Sequence, residues 1–383
     1  METVVTGDFE GGNCRLIECR RESGATLVRF APVHKRYEPQ ALWFHMEIRG
    51  AVGDRIRLEM VNPQQCLGRL ESWPDNRPVY RCGNGSWHRV ESVALKRDEG
   101  LVQRVVFEVP ANSGSVEVAF CYPYQLDDLT RCLGQSYPLI RSTIGYSAEG
   151  REIIRLATPT EIPEKKPPGV YLVARQHSGE TPGSLVLDGI IRYLISDEGK
   201  EAREAVAWWI VPFADIDGVV TGCYGKDQFP KDLNRSWDAS FPSRPEVDAI
   251  QSDMKLWSCS TDPYAVVDLH APSHHEQGFY FHIPRITSPT LEPSKALAEA
   301  YRAAVPEDLR GEEAFRLTGH NTGTQPGTKL SQFAVLNYGC MGMTLETSYQ
   351  GSRKNRPYLR EDYRVLGRIL AETVHRSAVR SVS

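Results

Sequence analysis

The segment 171–195 joins a buried strand to an amphipathic helix through a short polar loop. Its first four residues form an apolar run typical of a buried strand, and the apolar residues of its second half recur at helical spacing. The loop between them contains His177 and Glu180, three positions apart. An imidazole and a carboxylate so placed can point at one divalent metal ion, but a catalytic zinc needs a third protein ligand. The segment therefore predicts a strand–loop–helix unit that supplies part of a metal site.

Strands and helices alternate from Val170 to the end of the chain. Apolar runs typical of buried strands are separated by segments with apolar residues at helical spacing. This alternation predicts an α/β domain with a mixed, largely parallel sheet flanked by helices. The later predicted strands cover residues 208–213, 265–270, 279–283 and 341–346, and the predicted helices cover residues 245–257, 293–304 and 362–379.

The first 135 residues have a different pattern, in which short, partly alternating apolar segments are separated by turn residues. Many short strands with frequent Gly, Pro, Asn and Asp predict an antiparallel β-sandwich. A hairpin pattern around Glu149 and Gly150 follows, and it opens the second part of the chain. We therefore expect two domains, with residues 1–135 forming the sandwich and residues 136–383 the α/β domain. The predicted sandwich strands lie at residues 27–30, 42–48, 55–60, 104–109 and 115–120.

Charge and cysteine usage narrow the class of protein. The formal net charge of −4 argues against a general nucleic-acid-binding protein, which is usually basic. The nine cysteines form no Cys-x-x-Cys pair, which favours reduced thiols in a cytoplasm over a disulfide framework. The sequence shows neither a secretory signal nor an apolar run long enough to cross a bilayer. We expect a cytoplasmic protein that binds neither nucleic acid nor a membrane.

Polar residues at the ends of two further predicted strands could complete a catalytic metal site. His270 ends the strand 265–270, and sites in open α/β sheets gather outside the carboxyl ends of strands. Two histidines and one glutamate match a hydrolytic zinc site that leaves one position for water. Asp268 would share a face with His270, either hydrogen-bonded to a ligand or in a salt bridge. Glu346 ends another strand, either as a general base for water or as a surface carboxylate.

The loop 232–237 is rich in hydrogen-bond donors. Arg235 offers a bidentate fork for a carboxylate, and Asn234 adds a further donor. Together they could hold the terminal carboxylate of a peptide, or they form a surface turn. A rival cluster, residues 274–276, has adjacent His, His and Glu side chains that would point to opposite faces, so we do not expect it to bind metal.

The order of these motifs resembles that of the M14 zinc carboxypeptidases, and it is most similar to the cytosolic carboxypeptidase subfamily. In that subfamily a β-sandwich precedes the catalytic domain, as the first 135 residues suggest here. The similar segments are SAEGR at 147–151, ARQHSGET at 174–181, DGV at 217–219, DLNR at 232–235, DLH at 268–270 and MTLE at 343–346.

The resemblance implies a cytosolic exopeptidase that hydrolyses C-terminal residues from peptides or proteins. It implies one zinc ion per chain, with His177, Glu180 and His270 as ligands. It also implies a zinc-bound water that Glu346 activates. In the family pattern, the Asn and Arg of the DLNR segment bind the terminal carboxylate of the substrate, and here these residues are Asn234 and Arg235.

The resemblance also bears on substrate choice and on the cation that polarises the carbonyl of the peptide bond to be cleaved. Subfamily members commonly remove acidic C-terminal residues such as Glu, which would need a basic group in the substrate pocket. Lys329 and Arg316 are the candidates for that group. The alternative is that both are solvated surface charges. The family usually has an Arg between the DGV and DLNR segments, but this chain has Gly225 there. We expect Lys226 to supply the missing cation. Many members also have a Tyr before the catalytic Glu, and residues 320–330 contain none.

Two other functions fit the same residues. An amide-bond deacylase of the aspartoacylase or succinylglutamate desuccinylase type also combines His-x-x-Glu with a distant His, although the DLNR segment and the leading sandwich favour the peptidase. A non-catalytic zinc-containing peptide-binding protein would suit the missing Arg at Gly225, whereas Glu346 favours an enzyme. The sequence leaves the oligomeric state open.

Overall fold

In the computed structural model, the described residues form three β-sheets, two in the first part of the chain and one in the second. The structure describes residues 3–36, 38–51, 55–111, 114–135, 137–159, 166–238, 244–319, 327–351 and 356–380. No helix within these ranges is long and apolar enough to span a membrane.

Two five-stranded sheets make up the first part of the described chain, in the orders β1-β4-β10-β6-β7 and β2-β3-β5-β9-β8. Every pair within them is antiparallel except β3 with β5, because the chain passes through β4 of the other sheet between these two strands. The elements are β1 (Val4–Thr6), β2 (Arg15–Glu22), β3 (Ala25–Ala31), β4 (His45–Arg49), β5 (Arg55–Met60), β6 (Val79–Cys82), β7 (His88–Arg89), β8 (Val93–Asp98), β9 (Leu101–Pro110) and β10 (Ser115–Ala119), followed by α1 (Leu126–Leu133).

Aromatic side chains fill the space between these two sheets. The ring of Phe30, on β3, lies 5.1 Å from that of Phe44, which directly precedes β4 in the other sheet. Phe107, on β9, stacks on Phe44 at 6.3 Å. Face-to-face packing of two largely antiparallel sheets confirms the predicted sandwich.

An eight-stranded mixed sheet organises the second part of the described chain, in the order β11-β12-β14-β13-β15-β18-β16-β17. Its four central strands, β14, β13, β15 and β18, are mutually parallel, as predicted for buried strands. The strands are β11 (Ile140–Tyr146), β12 (Glu152–Ala157), β13 (Pro168–Ala174), β14 (Ala207–Val211), β15 (Asp262–His270), β16 (Phe279–Pro284), β17 (Phe315–Thr318) and β18 (Met341–Thr347). β11 and β12 form the hairpin that the sequence predicts.

Helices flank this sheet in two groups. α8 contacts α2, α3 and α6, whereas α5 and α7 meet through the rings of Trp257 and Tyr338, 5.8 Å apart. The helices are α2 (Thr181–Ile195), α3 (Lys200–Ala205), α4 (Ile216–Thr221), α5 (Pro245–Ser260), α6 (Leu291–Ala304), α7 (Leu330–Tyr338) and α8 (Arg360–Arg380). The predicted domain boundary at residue 135 falls between α1 and β11, and it stays a prediction.

A glycine brings the start of α2 close to the end of β15. A Cβ on Gly183 would collide with the carbonyl oxygen of Leu269, so only a residue without a side chain permits this approach. Glu180 immediately precedes α2, and His270 is the last residue of β15. The close contact therefore places these two side chains beside each other.

Candidate metal centre and active site

Three neighbouring parallel strands deliver the candidate catalytic side chains to one edge of the sheet. His177 and Glu180 follow β13, His270 ends β15, and Glu346 lies near the end of β18. His270 and Glu346 are direct partners in the pairing of β15 with β18. The carboxyl edge of a parallel sheet is where sites gather, so these positions agree with the expectation from sequence.

The donor atoms of His177, Glu180 and His270 converge on one point. All three residues are buried, and a ligand atom from each lies within 4.8 Å of the others. Nδ1 of His177 is 2.9 Å from Oε1 of Glu180, and Nδ1 of His270 is 2.6 Å from Oε2. Two imidazole nitrogens and a carboxylate oxygen are a donor set that suits zinc and leaves room for a water ligand. In the part of the chain that the structure describes, no other such group of three or more donors occurs.

The far nitrogen of each candidate histidine ligand faces a second carboxylate. Nε2 of His177 lies 3.1 Å from Asp232, and Nε2 of His270 lies 2.8 Å from Asp268. A carboxylate that accepts the Nε2 hydrogen fixes the tautomer and leaves the Nδ1 lone pair for a metal. For Asp268, the structure has the first of the two arrangements considered from sequence, a hydrogen bond to a candidate ligand.

The sequence pattern alone assigns no role to Asp232. Its buried carboxylate also accepts the backbone N–H groups of Asn234 at 2.7 Å and Asp227 at 2.8 Å. Burial opposes ionisation, but the His177 ring, the charge of Arg235 and the N–H of Asp227 outweigh it and hold the pKa of Asp232 well below its usual value. The only signal in the sequence was an acidic residue two positions before Asn234.

Glu346 lies beside the metal donors, because it pairs in register with His270. Its Oε1 is 3.8 Å from Nε2 of His282, and its buried Oε2 has no hydrogen-bond partner among the described residues. Burial raises the pKa of Glu346, while the nearby charges of His270 and Lys226 act in the opposite direction. A carboxyl group with a raised pKa is suited to general acid–base work.

Lys226 reaches the same centre. Its Nζ lies 3.6 Å from Oε1 of Glu180. Burial acts against its charge, but Tyr224, Glu180 and Glu346 outweigh burial and raise the pKa of Lys226. Gly225 has a φ of +88°, and a Cβ there would collide with the backbone of Ser178, so this backbone has no room for an Arg at position 225.

The two residues predicted to bind the substrate carboxylate differ in the hydrogen bonds that they already form within the protein. Nδ2 of Asn234 donates to Asp268 at 3.0 Å, and its Oδ1 accepts the N–H of Leu330 at 3.0 Å. Arg235 donates from Nη1 to the carbonyl of Asn234 at 2.9 Å, and its buried Nε has no partner in the described part of the chain. Arg235 therefore retains donor capacity, and the substrate-binding roles of both residues stay predictions.

The two candidate basic pocket residues have different surroundings. Burial and the charge of Arg235 lower the pKa of Lys329 to about 8, against the opposing influence of Glu346. Arg316 instead lies over the ring of Tyr280 at 3.6 Å and pairs with Glu276. Residues 320–326, within the stretch that lacks the family's Tyr, lie outside the described residues.

The rival cluster at residues 274–276 does not converge. His274 stacks on Trp73 at 4.7 Å, and its Nδ1 lies 3.0 Å from Nδ2 of Asn76. Glu276 instead accepts a hydrogen bond from Tyr280 at 2.8 Å. These side chains point to different surroundings, and that the cluster does not bind metal stays a prediction.

Comparison with known families identifies the class of protein. Residues 126–363 match the family described as zinc carboxypeptidase, Peptidase M14, and residues 5–121 match the cytosolic carboxypeptidase N-terminal domain. The chain belongs to the M14 zinc carboxypeptidase family. The resemblance seen in the sequence is therefore confirmed, and so are the hydrolase class, metallocarboxypeptidase, and zinc as the cofactor.

Several named proteins are similar over much of the chain. Cytosolic carboxypeptidase 6 of Caenorhabditis elegans is 25% identical over 398 residues, which cover 95% of this chain and 84% of that protein. The mouse protein of the same name is 27% identical over 329 residues, covering 78% of this chain and only 56% of its own length.

Solved structures show the same fold. A metallo-carboxypeptidase from Burkholderia cenocepacia superposes with a TM-score of 0.83 at 20% identity, covering 100% of both chains. A metallo-carboxypeptidase from Pseudomonas aeruginosa, in complex with (2-guanidinoethylmercapto)succinic acid, gives 0.76 at 22% identity and covers 97% of this chain and 98% of that one. At these identities the likeness establishes the fold alone, a catalytic α/β domain preceded by a sandwich.

Proposed function

We propose that this metallocarboxypeptidase removes residues one at a time from the C-termini of peptides or proteins, with a preference for acidic residues. The observation that supports it most directly is the convergence of Glu346 and Lys226 on the candidate zinc site. Glu346 pairs in register with His270, and Nζ of Lys226 lies 3.6 Å from Glu180. A metal site with a base and a cation beside it has the groups that amide hydrolysis needs.

In this proposal His177, Glu180 and His270 hold the zinc ion. When bound, zinc supplies Lewis acidity, which polarises a carbonyl and lowers the pKa of water to about 7. Glu346 accepts a proton from the attacking water and later gives it to the leaving amine. Lys226 directs its ammonium group to the carbonyl oxygen as that oxygen gains negative charge.

Exo-cleavage follows from a cation that recognises the end of the substrate. Arg235 lies in the loop after Asp232 and keeps donor capacity that its internal hydrogen bond does not use. A guanidinium can bind a carboxylate bidentately, which positions the last peptide bond and no other. Asn234 would assist as a second donor, in addition to its hydrogen bond to Asp268.

Lys329 supports the proposed preference for acidic residues. The charges of Arg235, Glu346 and Lys226 all act on this side chain, which supports a position close to the site. An ammonium group there would attract the side-chain carboxylate of a C-terminal Glu or Asp. We also propose a cytoplasmic location, which the names of the cytosolic relatives support.

Metal analysis combined with a peptide-library digest tests the proposal. We expect one zinc ion per chain, sequential loss of C-terminal residues, and fastest loss of Glu. N-acyl amino acids serve as the alternative substrates, because faster hydrolysis of these than of any peptide would favour a deacylase. Binding of peptides with no turnover of either class would favour a non-catalytic protein. Full-rate removal of Leu with none of Glu would exclude the acidic preference alone.

A further inference from the structure

Lys226 lies on a turn that the N-terminal sandwich helps to hold. We call residues 223–227 the Lys226 turn and residues 32–44 the sandwich loop, of which Tyr37 lies outside the described residues. Glu38, on the sandwich loop, accepts the backbone N–H of Tyr224 through Oε1 at 3.2 Å and that of Gly225 through Oε2 at 2.5 Å. One buried carboxylate of the sandwich loop therefore binds two consecutive amides just before Lys226.

The backbone of the Lys226 turn needs such external hydrogen bonds. Gly225 has a φ of +88° and Asp227 a φ of +55°, so left-handed residues flank Lys226 on both sides. A non-glycine residue in this region is strained, and surrounding contacts must fix it. Asp232 accepts the N–H of Asp227 at 2.8 Å, and Gln40 of the sandwich loop donates to the Asp227 side chain at 3.1 Å. The sandwich loop thus contacts the turn on both sides of Lys226.

The sandwich loop is itself anchored to the catalytic domain. Nζ of Lys35 donates to the carbonyl of Thr221 at 2.5 Å, and Nη1 of Arg36 donates to Asp215 at 2.9 Å. Glu38 is only 3% exposed. Its carboxylate also accepts the N–H of Lys35 at 3.1 Å, which ties it to its own loop. Glu38 is therefore a fixed acceptor for the turn.

We infer that Glu38 is a positioning residue for Lys226, through which the N-terminal domain takes part in catalysis. Its two hydrogen bonds set the path of residues 224 and 225, and that path sets where Nζ of Lys226 stands relative to the reacting carbonyl. This inference rests on the proposed role of Lys226. A displacement of about 1 Å at a reacting group can cost roughly 10²-fold in rate, so the precision of this turn matters.

A double-mutant cycle on kcat tests the inference. Lys226→Met should lower kcat by roughly 10²–10³-fold. Glu38→Gln keeps one acceptor oxygen for three N–H groups, two of them in the turn. It should lower kcat by about tenfold or more with little change in KM or zinc content. In the Lys226→Met background, Glu38→Gln should have almost no further effect, because the group that it positions is gone.

Glu117→Gln is the matched control. It also neutralises a carboxylate of the sandwich, but its partners His45 and Arg81 belong to the same domain, so kcat should not change. An equal loss from Glu38→Gln in both backgrounds would mean that Glu38 acts independently of Lys226, and this would overturn the inference alone. Wild-type kcat in Lys226→Met would instead overturn the proposed role of Lys226, and the inference with it.

Hydrogen exchange of the metal-free protein provides a readout that is independent of activity. Glu38→Gln should speed exchange in peptides covering the Lys226 turn and leave exchange in β13 and β15 unchanged. Glu38→Asp, whose shorter side chain keeps the charge but draws the carboxylate back, should have the same local effect and serves if Glu38→Gln folds poorly. Unchanged exchange at the turn in both variants would contradict a positioning role.

Discussion

At the scale of single residues, the proposed mechanism depends most on Glu346. Glu346→Gln keeps the shape of the side chain but removes the base, so we expect kcat to fall by about 10²–10⁴-fold. Zinc content should stay the same because Glu346 is not one of the three converging donors. Glu313→Gln, at an exposed carboxylate of an ion pair with Arg316, is the control and should keep wild-type activity. Wild-type rates for Glu346→Gln on every active substrate would refute its role as base.

Lys329 predicts a pH dependence of substrate preference. Burial and Arg235 lower its pKa to about 8, so the ammonium is charged below that pH and neutral above it. The ratio of kcat/KM for peptides ending in Glu to that for peptides ending in Leu should be constant near neutral pH and should fall above pH 8. Since kcat/KM reports the free enzyme, the midpoint should lie near this pKa.

Lys329→Met should give a lower ratio that no longer depends on pH across this range. Lys255→Met, at an exposed position of α5, should keep the wild-type profile. A flat wild-type profile, or an unchanged ratio in Lys329→Met, would exclude Lys329 as the source of the preference. The comparison uses two substrates, so a general loss of activity at high pH cancels in the ratio.

At the scale of elements, two carboxylates, one in a strand and one in a loop, accept hydrogen bonds from the candidate histidine ligands. Asp268→Asn or Asp232→Asn should weaken zinc binding by about 10–100-fold, because a neutral amide, which can donate as well as accept, no longer fixes the histidine tautomer. Competition with a chelator measures the affinity. Asp262→Asn, at the exposed opposite end of the strand that contains Asp268, should bind zinc as the wild type does. Unchanged affinity in both variants would show that these carboxylates do not tune the site.

Local sequence pattern predicted the elements better than it predicted their mutual contacts. Each of the predicted strand ends at His177, His270 and Glu346 follows from an apolar run that stops at a polar residue, and the structure brings all three to one sheet edge. The contact of Asp232 with His177 joins residues 55 positions apart, and that of Glu38 with Gly225 joins residues 187 apart. Loop paths determine such contacts, and no periodicity in the sequence encodes them.

At the scale of the whole molecule, the sandwich and the catalytic domain share the loops around the site. The parallel pairing of β3 with β5 was not expected, because local alternation does not reveal that β4 belongs to the other sheet. The sequence separated the two parts by pattern but gave no sign of how closely they meet. Glu38 touches the turn before Lys226, and Arg89 of β7 reaches the loop after Glu346. The stability of the catalytic domain should therefore depend on the sandwich.

Arg89 allows this dependence to be measured. Its guanidinium donates to the carbonyls of Tyr358 at 2.7 Å and Tyr349 at 2.8 Å and to Oε1 of Gln350 at 2.9 Å. Arg89→Met removes three charge-assisted hydrogen bonds, although Tyr349 still accepts from Tyr363 and Gln350 from Arg77. We expect the free energy of unfolding to fall by roughly 2–4 kcal/mol. Arg89→Lys should recover only part of the loss, since a single ammonium group cannot donate in the planar, forked geometry of a guanidinium group.

Urea unfolding followed by tryptophan fluorescence and by activity measures the change. Arg55→Met is the control, because Arg55 forms an exposed ion pair with Glu108 inside the sandwich, and such a pair contributes about 0–1 kcal/mol. If Arg89 couples the domains, its loss should lower the urea midpoint for activity at least as much as that for fluorescence, since the contacted loop begins just beyond Glu346. A variant as stable as the wild type, with coincident transitions, would mean that the two domains hold their relative positions without Arg89.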